Sequence, residues 1–259
     1  KASYGTVAAD GTTFTATSNF VATAQTIEDN IAPKLVDLDA TLGVYPVYTL
    51  DADNNGKIDH IVVQFTEDMD NTYFSRSSFT VNGFTVTHVA TDDNLSAITT
   101  ATAAGNGNPS EYVVITVREK ASATDSNATP AVTFLGTMKD VEGNTFTLPT
   151  SAKVATDLVG PAIAELAFTN GTNKVTVKFS ENVDATSVGV GDFTLGGTGI
   201  STETITNATV SGNTVVLTLS ANVTLGAGDT ITVKLSAAGV VDDVRGNAST
   251  QTATVTFTQ

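Results

Sequence analysis

Apolar and polar residues alternate over most of the chain, which is the pattern of β-strands that bury one face. The clearest runs are "KVTVKF" at 174–179, "TVVLTL" at 214–219 and "TITVKL" at 230–235. Turn signals such as Asn82-Gly83 separate runs of this kind. Long segments with helical periodicity are hard to find. The pattern therefore predicts an all-β fold in which short antiparallel strands pack as sandwiches.

The sequence also repeats itself, and the repeat predicts the domain organisation. Four blocks recur in the same order in the two halves of the chain. The paired blocks are "VVQFTEDMD" and "TVKFSENVD", "SFTV" and "DFTL", "EYVVITV" and "NTVVLTL", and "KDVEGN" and "DDVRGN". We therefore predict two homologous β-sandwich domains, at 30–157 and 158–259. Residues 1–29 resemble the end of a further repeat followed by a linker, which indicates a longer array.

Composition narrows the range of partners. The formal net charge is −15 and the pI is about 4.2, so the surface would repel a phosphate backbone and nucleic acid is not an expected partner. Acidic side chains favour divalent cations, which prefer oxygen ligands, although acidity also keeps an exported protein soluble. Cysteine is absent, which excludes disulfides and zinc fingers without arguing for the cytosol. No apolar run is long enough to predict membrane insertion.

One acidic stretch, "DADNNGKID" at 51–59, has the oxygen-ligand spacing of a calcium loop. In such loops the first, third and fifth side chains and the seventh carbonyl bind the ion, and a glycine at the sixth position permits the sharp turn. The corresponding ligands are Asp51, Asp53, Asn55 and the carbonyl of Lys57, with Gly56 at the sixth position. The second half has only the short turn "TNGTNK" at the matching place. The sequence therefore predicts a Ca²⁺ site built on an insertion.

The last ligand of such a loop is missing, because Val62 stands where a bidentate glutamate is usual. Asp59 is the nearest replacement. The acids Glu28 and Asp29, or Asp39, are the other candidates, and with them calcium would clamp neighbouring modules together. The alternative without an ion is a polar hairpin turn, but three carboxylates at alternate positions would then repel one another.

Taken together, the blocks resemble the bacterial immunoglobulin-like domains of surface-layer (S-layer) proteins and large bacterial adhesins. The motifs that carry this resemblance are "F[ST]E" followed by "[MV]D", and the closing "D-V-x-G-N". They lie at Phe65–Asp70 and Phe179–Asp184, and at Asp140–Asn144 and Asp243–Asn247. The resemblance implies tandem sandwiches of about seven strands that build cell-surface structures, often with calcium. It does not imply one function, because the same domains also serve as spacers in adhesins and secreted enzymes.

Nothing in the sequence argues for an active site. Glu67 and Glu181 occupy matching places in the "F[ST]E" motif, but a general acid and base must share one site. The repeat therefore predicts structural roles for both at strand ends. The histidines, His60 and His88, have no further histidine or cysteine at metal spacing, which argues against zinc. No "GxSxG" elbow accompanies the serines.

The leading interpretation is a non-enzymatic piece of an S-layer protein, with calcium-dependent folding and assembly of a coat on a bacterial cell. Its expected partners are neighbouring copies of the same protein in an extracellular surface lattice. Binding to a cell-wall glycan through domains outside this chain stays open. Two alternatives also stay open, namely a stalk or ligand-binding region of an adhesin and an accessory region of a secreted enzyme.

Overall fold

The described part of the chain divides into two units. The computed structural model describes residues 28–39, 41–42, 45–121 and 124–259, and the backbone of two short strands nearer the start. Those strands, β1 (Thr6–Val7) and β2 (Phe14–Thr15), pair antiparallel within the first unit, Lys1–Asn30. The rest of the predicted partial repeat at 1–29, apart from Glu28 and Asp29, lies outside the described residues. The second unit is Ile31–Gln259.

Within the second unit, the first module (residues 31–157) is a sandwich of two antiparallel sheets. Its strands are β3 (Val47–Leu50), β4 (His60–Met69), β5 (Phe79–Val81), β6 (Thr85–Thr91), β7 (Ser110–Arg118), β8 (Ala131–Phe134) and β9 (Lys153–Val154). One sheet has the order β3-β4-β7-β6 and the other β5-β8-β9. In the first sheet β3 connects to β4, and β6 to β7, through hairpins, and β8 connects to β9 within the second sheet. The other connections cross between the sheets.

The second module (residues 158–259) repeats this topology strand for strand. Its strands are β10 (Ile163–Phe168), β11 (Thr172–Phe179), β12 (Phe193–Gly196), β13 (Ile205–Ser211), β14 (Thr214–Val223), β15 (Thr230–Leu235) and β16 (Val255–Thr258). The sheets have the orders β10-β11-β14-β13 and β12-β15-β16. The predicted all-β fold of tandem antiparallel sandwiches is confirmed.

Each module has its own hydrophobic core between its two sheets. Alternation places Val175, Val177 and Phe179 on the buried face of β11, all fully buried. In the first core Phe65 packs edge-on against Phe146 with ring centroids 5.1 Å apart, a favoured aromatic geometry. The two sets of core residues share no member.

The recurring sequence motifs meet in space, which explains why they recur as a pair. Met69 forms a β-bridge with Asp140 in the first module, and Val183 forms the matching bridge with Asp243 in the second. Each aspartate then accepts hydrogen bonds from the backbone and side chain of the asparagine four residues later, at 2.7–2.9 Å. The closing motif is thus a turn that a β-bridge joins to the "[MV]D" part of the preceding motif in each module.

Helical structure in the described residues is limited to short 3-10 helices. They are Asn71–Tyr73, Arg76–Ser78, Leu95–Ala97 and Val190–Asp192. None of the helices in the described part of the chain is both long and apolar enough to cross a membrane.

Candidate metal centre

The acidic stretch 51–59 forms the hairpin loop between β3 and β4 of the first module. Gly56 has a φ of +85°, and Asn54 has a φ of +59°. This left-handed region favours glycine and tolerates asparagine. The loop therefore folds sharply back on itself, as its "NNG" sequence requires.

The fold brings three of the predicted side chains together. One carboxylate oxygen each from Asp51, Asp53 and Asp59 lies within 4.8 Å of the other two. Asp51 and Asp59 are buried and Asp53 is exposed. Asp51 accepts hydrogen bonds from the backbone of Asn55 at 3.2 Å and of Gly56 at 2.7 Å, which hold its carboxylate inside the turn.

The side chain of Asn55 places in the same loop a buried amide oxygen that has no hydrogen-bond partner in the part of the chain that the structure describes. Its Nδ2 donates to Glu119 Oε1 at 2.9 Å, which orients the amide. Its Oδ1 is buried and has no hydrogen-bond partner among the described residues. A buried carbonyl oxygen without a donor is costly, and it is the ligand atom that the calcium-loop pattern assigns to this position. The donor set of carboxylate and amide oxygens therefore fits Ca²⁺.

Asp59 already has a partner in its neighbour on β4. His60 Nδ1 lies 2.5 Å from Asp59 Oδ1, and His60 Nε2 lies 2.6 Å from the carbonyl oxygen of Ala103. The carbonyl of Ala103 requires an N–H at Nε2, and an ionised Asp59 requires one at Nδ1, so this pairing favours the doubly protonated imidazolium. Burial alone would lower the pKa of His60, but the hydrogen bond and charge of Asp59 raise it. His60 thus offsets part of the negative charge of the loop.

Burial and the neighbouring carboxylates disfavour the ionised form of Asp51. Burial raises the pKa of Asp51 to about 7, and the nearby carboxylates of Asp59 and Asp53 add to this, against the hydrogen bonds from Gly56 and Asn55. A carboxylate in this condition is stabilised by a proton or by a metal ion.

The cluster contains no other predicted acid among the described residues. The side chain of Lys57 points to Glu119, with Nζ 3.9 Å from Oε2, so only its carbonyl remains a candidate ligand. Val62 is fully buried in β4. Asp39 accepts hydrogen bonds from the backbone of the local turn that follows it and is not part of the carboxylate cluster. Glu28 and Asp29 belong to the first unit.

Sequence reasoning missed the surface against which the loop packs, which is the second module. A side chain added at Gly56 would place its Cβ 2.6 Å from Ser180 Cβ. Thr250 Oγ1 donates a short hydrogen bond to Asn54 Oδ1. Another segment of the first module also contacts the second module, because Ser126 Oγ donates to Ser180 Oγ at 2.7 Å. The glycine that the turn requires is therefore also required by the junction between the modules.

The comparisons with known proteins identify the type of domain. Residues 158–259 match the family model described as "Bacterial Ig-like domain", which confirms the resemblance stated from the sequence motifs. A crystal structure of the S-layer protein SbsC is similar with a TM-score of 0.33 and 25% identity, over 39% of this chain and 14% of that one.

A second crystal structure, of the N-terminal part of the bacterial S-layer protein SbsC, has a TM-score of 0.33 and 15% identity. That match covers 88% of this chain and 44% of the other, so the chain spans less than half of either structure. No curated protein sequence matches the chain.

Proposed function

With a bacterial Ig-like domain at residues 158–259 as the premise, we propose that the chain is a structural, non-enzymatic building block of a bacterial S-layer. The observation that carries this proposal is the family match of the second module together with the identical strand order of the first. Tandem repeats of one sandwich provide length and a regular surface without any catalytic centre. The site of action is outside the cell, and the partners are neighbouring copies of the same protein.

The contacts of the linker between the modules support a structural role for the chain. The linker is held on both sides. Thr156 exchanges backbone hydrogen bonds with β3, and Ala162 accepts from the backbone of Ser180 and donates to its Oγ. Gly160 packs so closely against the backbone of Ala248 that an added Cβ would lie 2.1 Å from its carbonyl oxygen. A junction with this packing restricts rotation of one module against the other, which a lattice component requires.

Calcium is the proposed ligand of the hairpin loop. Asp51, Asp53, Asn55 and the Lys57 carbonyl would hold the ion, with Asp59 and its partner His60 at the side of the site. When bound, Ca²⁺ supplies positive charge that offsets repulsion among the carboxylates. Because the loop packs on Ser180 of the second module, ordering the loop would also stabilise the junction, by mass action on the folded state.

The test is calcium titration of the full chain by calorimetry, with thermal melts and light scattering on the same samples. The variant Asp51→Asn/Asp53→Asn keeps side chains of the same shape and removes two charges from the loop. Saturable binding to the wild type, a calcium-dependent rise in melting temperature and the loss of both in the variant would support the site. Growth of particles with calcium would support a coat, whereas a chain that binds calcium as a monomer would favour an adhesin stalk.

The control variant is Glu142→Gln/Glu165→Gln, which removes two charges from exposed positions outside the loop. It should bind and melt like the wild type. If it lost the calcium response to the same degree as the loop variant, the response would reflect net charge and the loop site would be refuted.

A further inference from the structure

A second group of three carboxylates lies at the junction itself, outside the hairpin loop. Asp157 comes from the linker, Glu181 follows β11, and Asp243 lies in the closing motif of the second module. One oxygen of each lies within 4.8 Å of the others. All three residues are buried, with exposed fractions of 3%, 4% and 1%.

Two of these carboxylates are oriented by partners that leave them available as ligands. Asp157 Oδ2 accepts from Arg245 Nη1 at 2.6 Å, and Oδ1 accepts from the backbone of Val159 at 3.1 Å. Asp243 Oδ2 accepts from Asn247 Nδ2 at 2.9 Å, and Oδ1 accepts from the backbone of Arg245 at 2.7 Å and of Asn247 at 2.8 Å. A carboxylate has about four lone-pair sites, so these contacts fix direction without saturating either group.

The third carboxylate, that of Glu181, is less well satisfied by hydrogen bonds than the other two. Its Oε1 is buried and has no hydrogen-bond partner among the described residues. Burial raises the pKa of Glu181 to about 8, and the charges of Asp157 and Asp243 add to this, against a hydrogen bond from Ser126. A buried carboxylate oxygen that faces two other carboxylates and lacks a donor is strongly unfavourable unless the group takes up a proton or a cation lies beside it.

The charge of the cluster has a simple consequence. Three carboxylates and the single guanidinium of Arg245, which is half-exposed, leave a net charge of about −2 when all are ionised. A divalent cation would neutralise that charge. In calcium sites the oxygen ligands lie at about 2.3–2.6 Å, so two oxygens on opposite sides of the ion are about 5 Å apart. The three carboxylate oxygens of this cluster lie within 4.8 Å of one another, close enough for one ion to contact all three.

We propose that Asp157, Glu181 and Asp243 form a second divalent-cation site, with the oxygen ligands that hard cations such as Ca²⁺ prefer, and that the ion fastens the linker to the second module. Its ligands come from the linker, from the end of a strand and from the closing turn, so the ion would join three segments that otherwise meet through hydrogen bonds and the ion pair of Asp157 with Arg245. Glu181 adjoins Ser180, which contacts the hairpin loop. Both proposed cation sites therefore adjoin the contact between Gly56 and Ser180.

The sequence repeat contains the same three acids one module earlier. The linker acid Asp29, the motif glutamate Glu67 and the closing Asp140 stand at the places of Asp157, Glu181 and Asp243. The position of Arg245 is occupied there by Glu142. The acids thus recur while the cationic side chain does not, which is the pattern expected if the acids serve an added cation.

The test is calorimetric stoichiometry of the full chain with Ca²⁺, after removal of metal with a chelator. Four proteins are compared: the wild type, Asp51→Asn/Asp53→Asn, Glu181→Gln, and the combination of all three changes. Glu165→Gln, at an exposed position of β10, is the charge-matched control. We expect two equivalents for the wild type and the control, one for each partial variant and none for the combination.

The outcomes separate this proposal from the hairpin-loop site. If Glu181→Gln retains all the equivalents and affinities of the wild type, the junction site is refuted. If the wild type binds one equivalent that Asp51→Asn/Asp53→Asn abolishes, the loop stands alone. If that equivalent is instead abolished by Glu181→Gln, the junction site stands and the loop site fails. Glu181→Gln is isosteric and removes an acid that folding forces to take up a proton or to bury its charge, so it should melt at a higher temperature than the wild type in chelator. That result would show that lost binding is not lost folding.

Discussion

The two carboxylate clusters of this protein are built in opposite ways. The cluster in the hairpin loop takes Asp51, Asp53 and Asp59 from one continuous stretch, whereas the junction cluster takes Asp157, Glu181 and Asp243 from three distant segments. The first owes its shape to local turn geometry. The second exists only when the sandwich has closed and the linker has docked. A cation at the loop would therefore stabilise a local turn, and a cation at the junction would stabilise tertiary structure.

The same contrast separates the two hairpins at this place in the repeat. In the second module β10 and β11 are joined by the short turn at 169–171, and Gly171 has a φ of +81° with open space around it. In the first module the longer loop places Gly56, with a similar φ, against Ser180 of the next module. An insertion at a hairpin leaves the sheet unchanged, and here it adds a contact between modules.

The pH dependence of the metal-free protein should show the largest effect. The pKa of Glu181 is about 8 in the folded protein against an ordinary 4.5, and that of Asp51 is about 7 against 3.8. At a pH between the ordinary and the raised pKa of each group, the native state keeps a proton that the unfolded chain has released. Stability is therefore highest below the ordinary pKa and is lost as pH rises, by about 1.4 kcal/mol per pH unit for each proton.

Denaturant unfolding in chelator between pH 4 and pH 9 measures this, and variants divide it between the clusters. Glu181→Gln should flatten the curve up to about pH 8, and Asp51→Asn only up to about pH 7. Glu165→Gln, at an exposed site, should leave the slope unchanged. A wild-type free energy of unfolding that rises steadily from pH 5 to pH 8 would contradict the predicted direction of the pH dependence. It would also mean that Glu181 and Asp51 do not keep their protons in the folded protein.

The second prediction concerns the two hairpin glycines. Gly56→Ala should destabilise the protein by about 3 kcal/mol, because the left-handed backbone costs about 1 kcal/mol and crowding against Ser180 adds the rest. Gly171→Ala has the same backbone cost and no crowding, so it should cost about 1 kcal/mol. Chemical denaturation at fixed pH compares them. Equal losses would show that the loop does not press on the second module.

Much of the fold could be predicted from the sequence, because its signals are local. Alternation in runs such as 174–179 predicts strands, and the repeated "F[ST]E" and "D-V-x-G-N" blocks predict two copies of one sandwich, as the strand orders confirm. The ligand spacing of 51–59 is equally local, and three of its acids, Asp51, Asp53 and Asp59, lie near one another. Occupancy by calcium stays a prediction.

The junction cluster could not be found in this way. Asp157, Glu181 and Asp243 are far apart in sequence, and the motif by itself predicts a structural role for Glu181 at a strand end. Their proximity depends on how the linker runs across the closing turn, where Asn247 Nδ2 donates to the carbonyl of Asp157 at 3.1 Å. The available signal was the recurrence of the acids at Asp29, Glu67 and Asp140, which is visible only after the repeats are aligned.

The third prediction uses the cation already present at the junction. Arg245→Gln removes the partner of buried Asp157 and should destabilise the metal-free protein by about 2 kcal/mol, because a buried carboxylate loses a charged donor. The same change makes the cluster more negative, so calcium should bind the junction more tightly than in the wild type. Calorimetry and melts in chelator measure the two effects. Weaker calcium binding in this variant would mean that Arg245 assists the site instead of competing with an ion.

The smallest expected effect concerns the exposed end of the loop contact. Thr250→Val removes the hydroxyl that donates to Asn54 Oδ1 and should cost about 0.5 kcal/mol, since Thr250 is exposed and water can replace the bond. Ser180→Ala is the matched buried change. Ser180 Oγ accepts from the backbone of Ala162 at 2.9 Å and from Ser126 at 2.7 Å, so its loss should cost about 2 kcal/mol. If denaturation gave the reverse order, the exposed end of the loop, and not its buried glycine, would hold the two modules together.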